Sequence, residues 1–79
     1  MTTTEEAQRY ADAIMAMIKE DQDTGQVPAN VCSWDELDES VDAADYYRLL
    51  KIPSGTSEAL QLRTAVNEEV SRRLARAQR

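Results

Sequence analysis

Ala59, Leu62, Val66, Val70 and Leu74 return at three- and four-residue steps, a spacing that gathers side chains on one face of an α-helix and that a strand cannot use. A second stripe runs through Ala7, Tyr10, Ala11, Ile14, Met17 and Ile18. β-Branched residues form no alternating run, and only two glycines and two prolines punctuate the chain. These features predict an all-α fold, with strands excluded by pattern. The expected layout is one domain over 1–79, with helices at 4–22, 34–50 and 57–77, a loop at 23–32 and a turn at 51–56. A chain of 79 residues buries only about 60% of the surface its unfolded form exposes, so the core is thin.

Local signals set the boundaries. Thr3 or Thr4 can cap the first helix, placing Glu5 and Glu6 in its positive first turn, and Gly25 suits a left-handed stop. Val27 and Val31, either side of Pro28, are positioned to tuck under the helices. Ser33-Trp34-Asp35-Glu36 has the form of a capping box, with Cys32 and Leu37 spaced for a hydrophobic staple. Ile52-Pro53 and Gly55 mark the second joint, after which Thr56 or Ser57 caps the third helix.

The stretch from Ser33 to Tyr47 holds six carboxylates and no cation. Projected as one helix, Trp34, Leu37, Val41 and Ala44 share a quarter of the circumference, while Asp35, Asp38, Glu39, Asp42 and Asp45 fill the adjoining arc. After Asp45 the apolar phase changes. Tyr46, Leu49 and Leu50 form a separate stripe with Ala43, so the helix either breaks near Asp45 or turns to a different neighbour. Of the paired tyrosines, Tyr46 is expected in the core and Tyr47 at its rim.

Charge is divided along the chain. Residues 1–47 carry twelve acids against two bases, and residues 48–79 carry three acids against seven bases. The halves therefore attract, within one molecule or between two.

Most chemistries lack their parts. The chain has no histidine, so the commonest general base is missing and a Cys/His metal cluster is excluded. Cys32 is the single cysteine, and no internal disulfide can form. Asp21-x-Asp23-x-Gly25 imitates a calcium loop, but its glycine comes one position early and Cys32 stands where a bidentate glutamate is required. Ser54-Gly55-Thr56-Ser57 has neither the lysine nor the preceding strand of a phosphate-binding loop. No enzyme activity, catalytic residue, cofactor or metal ligand is expected. The longest apolar run, Ala13 to Ile18, falls far short of the roughly 20 residues of a membrane span, and no secretion signal opens the chain. A cytoplasmic protein without a membrane anchor is the reading.

The Thr-rich start, the AIMAMI helix, VPANVCSWDEL, VDAADYY and the closing VNEEVSRRL resemble short acidic proteins of unknown function from actinobacteria and their phages or plasmids. The resemblance covers most of the chain and implies an accessory protein of a mobile element or its host. The residues leave two readings of the acidic helix face open: a solvated surface whose first-turn acids suit the helix dipole and whose neighbour is the basic third helix, or a non-catalytic module that binds a basic protein partner with Asp35, Asp38, Glu39 and Asp42 as contacts. A homodimer is a companion expectation, from the thin core and the opposed charges. The alternative is a regulator that contacts nucleic acid through Arg72, Arg76 and Arg79. A net charge of −6 and the lack of interleaved aromatics disfavour it.

Overall fold

The two apolar stripes set the frame. In the computed structural model, which describes residues 3–77, α1 spans Thr3–Asp23 and α4 spans Ser57–Ala77. Ala7, Ala11, Ile14 and Ile18 of α1 are buried, as are Ala59, Leu62, Val66, Val70 and Leu74 of α4. Complete burial of an Ile, Leu or Val side chain contributes roughly 1.5–3 kcal/mol, so Ile14, Ile18, Val66 and Val70, all at or below 1% exposure, dominate the interior. Glu6 shares a surface depression with Ala59 and Leu62, Gln8 shares one with Ala65 and Glu69, and Asp12 pairs with Arg73. Numbers rise together along both helices, which therefore run side by side in the same direction.

A parallel pair needs a return path, and the middle of the chain supplies it. Two short helices, α2 (Trp34–Ser40) and α3 (Ala44–Leu50), descend along α4. Trp34 is held at Ser71, Tyr47 at Asn67 and Arg63, and the carbonyls of Ile52 and Pro53 accept from Arg63 at 3.3 and 3.0 Å. Val27, Val31 and Leu37 close the interior beneath this path. Among the described residues there is no strand, and no helix is long and apolar enough to cross a membrane.

Among the described residues there are four helices where three were expected, and the break allowed for near Asp45 comes earlier in the chain. The second helix is not continuous over 34–50; it ends at Ser40, and Val41 is extended at φ −139° and ψ 167°. The cause lies in two short carboxylates. Asp38 Oδ1 accepts the Ala43 N–H at 3.1 Å and Asp42 Oδ1 accepts the Ala44 N–H at 3.2 Å, offering the backbone partners that compete with a helical ladder. The break also frees α3 to rotate. Both Tyr46 and Tyr47 become buried, against the expectation that Tyr47 stays at the rim, while Leu49, expected in the second stripe, is 70% exposed.

Two left-handed residues end helices. At the end of α1, Gly25 has φ 84° and the Gln26 N–H donates back to the Asp21 carbonyl at 2.9 Å, the closure expected of a glycine stop. At the end of α3 the same role falls to Lys51, at φ 56° and ψ 41°, with the Ile52 N–H donating to the Tyr47 carbonyl at 3.1 Å. A residue with a Cβ is strained there by about 1–2 kcal/mol. Lys51→Gly should therefore raise the thermal midpoint, with a gain of about 0.5–1 kcal/mol after the added freedom of the unfolded chain is counted. An unchanged or lowered midpoint in calorimetry would show that the lysine side chain compensates.

Candidate functional site

The best-defined surface lies where α2 meets the second half of α4. Ser33, extended at φ −152° and ψ 163°, caps α2 by accepting the Glu36 N–H on its hydroxyl at 3.2 Å. Glu36 reaches back in turn: Oε2 accepts the Cys32 N–H at 3.2 Å and Oε1 accepts the Cys32 thiol at 3.1 Å. The cysteine thus faces Glu36, where the spacing led us to expect an apolar staple to Leu37. That hydrogen bond pushes the Cys32 thiol above its ordinary value, which lowers its thiolate fraction and its reactivity.

Trp34 is fixed at three points. Its backbone N–H donates to Ser71 Oγ at 2.9 Å, its ring stacks on Tyr47 with centroids 5.4 Å apart at 30°, and it packs partly buried against the core. Tyr47 in turn carries the Arg63 guanidinium 4.6 Å from its ring centre, and its hydroxyl reaches Asn67 Oδ1 and the Arg63 carbonyl. Arg63, Asn67 and Ser71 stand four residues apart on α4, one polar line beside the apolar stripe. That spacing is visible in the sequence, and its use as the track for α2 and α3 was missed there.

Burial pushes the Tyr47 phenol up to about 12, with Arg63 acting in the opposite sense. Tyr46, whose hydroxyl donates to Asp21 Oδ2 at 2.6 Å, is raised by burial first and by that carboxylate second. The fold therefore holds the protonated phenols. Below pH 10 this stabilisation is complete; as pH climbs from 10 toward 12 the unfolded chain ionises first and stability falls. Denaturant midpoints measured across that window should drop more steeply for the native chain than for Tyr47→Phe, which removes one of the two groups.

The structure disperses the carboxylates that were expected in a line. Asp35 and Glu39 remain on the outside of α2, exposed. Asp38 and Asp42 are engaged at the start of α3, and Asp42 and Asp45 both pair with Arg48. Because α2 ends before Val41, Asp42 no longer shares a helical arc with Asp35, Asp38 and Glu39.

The arginines divide similarly. Arg72 pairs with Glu69, and Arg73 bridges Glu69 and Asp12, tying α4 to α1. The Arg73 guanidinium holds the Glu69 carboxyl below its usual range, with Arg72 and Arg76 adding to the effect. Arg76 is exposed, and Arg79 lies outside the described residues.

Between the α2 and α4 sides runs an open groove of about 550 Å³. Trp34, Ala75 and neighbouring atoms give it a mainly apolar floor, with Asp35 on the α2 bank and both Glu68 and Arg72 on the α4 bank. Among the described residues no three His, Cys, Asp or Glu side chains are placed to hold a metal ion. An indole and a shallow apolar floor offer contact area rather than an enclosed cavity. Set against known proteins, the sequence matches no family model, no curated protein and no solved structure.

Proposed function

We propose that the protein is a non-catalytic binding module whose α2 face takes a basic protein segment. One observation carries the reading: the side chains of Asp35 and Glu39 are exposed and make no hydrogen bond or ion pair among the described residues, and Asp35 lines an open groove together with the Trp34 indole. Their charges are available to a partner, whereas Asp38, Asp42 and Asp45 already serve the backbone or Arg48. Exposed charges set the rate and specificity of docking more than its affinity, and an aromatic anchor adds the affinity. A nucleic-acid contact through α4 has less to draw on, since Arg72 and Arg73 are paired with Glu69 and Asp12.

Titration with a Lys/Arg-rich peptide, followed by backbone amide NMR, tests the proposal. Perturbations should centre on residues 34–40 and weaken as salt rises, and the double variant Asp35→Lys, Glu39→Lys should lose them. Perturbations spread evenly over the surface, or an unchanged response in the double variant, would remove the acidic face from the function.

A further inference from the structure

We infer that the groove between α2 and α4 selects arginine: one guanidinium of the partner's basic segment lies on the open part of the Trp34 indole, between the carboxylates of Asp35 and Glu68. This rests on the docking reading of α2 and names the side chain that the face selects.

The groove is negative once its pairs are counted. Arg72 is paired with Glu69, and Arg73 is shared between Glu69 and Asp12, so these four charges balance. Asp35 on the α2 bank and Glu68 on the α4 bank are exposed, and their side chains make no hydrogen bond or ion pair among the described residues. They are the unbalanced charges of the lining, one on each side of a mainly apolar floor. A cation entering from solvent is attracted from both banks.

The floor decides which cation is held. Trp34 is half-buried and stacked on Tyr47, with centroids 5.4 Å apart, and it still lines the groove. Tyr47 already carries a guanidinium, that of Arg63, 4.6 Å from its ring centre. The row Arg63, Tyr47, Trp34 therefore reaches the groove as an aromatic surface of the kind that holds a guanidinium within the fold. A guanidinium is planar and weakly hydrated, stacks on aromatic faces, and has donors for two carboxylates at once. A lysine ammonium is compact and strongly hydrated, so seating it on an apolar floor costs more.

Two peptides of equal length and charge, Lys-Lys-Arg-Lys-Lys and Lys-Lys-Lys-Lys-Lys, separate the two cations. Each is titrated into the full chain and followed by backbone amide NMR and by the indole N–H signal, which is unique because Trp34 is the only tryptophan. The arginine peptide should bind roughly two- to fivefold more tightly and shift the indole signal further. Its advantage should persist as salt weakens both peptides, since a contact partly removed from solvent is screened less than exposed charge. Glu68→Gln, an exposed change, should reduce the advantage, and Trp34→Leu should abolish it, with circular dichroism confirming that each variant keeps its helices. Equal affinities for the two peptides, or an advantage that Glu68→Gln leaves intact, overturn the inference. Equal affinities with perturbations still centred on residues 34–40 keep the docking face and lose only the preference, while a chain that takes neither peptide loses both.

Discussion

Tyr47→Ala is expected to cost about 3–5 kcal/mol, the range for removing a buried aromatic ring. Tyr47 is only 6% exposed and meets α2, α3 and α4 together: Trp34 stacks on it, Arg63 lies over its ring, and Asn67 receives its hydroxyl. Truncation leaves a cavity, strands the Asn67 carbonyl and frees Arg63 from one of its supports. A domain of 79 residues has about 4–12 kcal/mol of stability in all, from roughly 0.05–0.15 kcal/mol per residue. The variant should therefore be largely unfolded at low urea concentrations that leave the native chain intact. Tyr47→Phe keeps the ring and loses only the hydroxyl contacts, for about 1–2 kcal/mol. If urea titration finds the alanine variant less than about 1 kcal/mol below the native chain, the ring does not hold the return path as described.

Leu37→Ala should be nearly as severe, about 2–5 kcal/mol, but more local in its effect. Leu37 is the one fully buried residue of α2, at 0% exposure, and the helix has only seven residues. A helix so short has no independent stability in water. Its persistence depends on that leucine, the Ser33 cap and the Trp34 contacts. Loss of the leucine should release the amides of Leu37 and Val41, which donate to Ser33 and Leu37 carbonyls, to rapid hydrogen exchange. Amides within α1 and α4 should retain far more protection. Equal loss of protection in all four helices would show that α2 unfolds only with the whole molecule.

The long helices were legible because one periodicity runs uninterrupted from Ala7 to Ile18 and another from Ala59 to Leu74. The break in the middle was half legible. The change of apolar phase at Tyr46 signals a separate helix, but the position of the break is set by Asp38 and Asp42, which bind the amides of Ala43 and Ala44. A helical projection treats those aspartates as surface charges and cannot register the competition. The same projection fixes one orientation for residues 34–50, so it misplaced Tyr47 and Leu49 once α3 rotated on its own. The groove was not legible at all. Trp34 and Ser71 are 37 positions apart, and their meeting follows from the parallel course of α1 and α4, which no local pattern encodes.

That parallel course also fixes where the described chain starts and stops. Glu6 sits by Ala59 and Asp12 by Arg73, so Thr3 and Ala77 lie at opposite poles, separated by approximately the length of a 21-residue helix, about 31 Å. A circular permutant would need some nine fully extended linker residues merely to span that gap, at about 3.4 Å each, and more to pass around the helices. Two fluorophores attached near these poles would make the α1 and α4 pair a molecular ruler, whose transfer efficiency reports the integrity of the whole frame in a single reading.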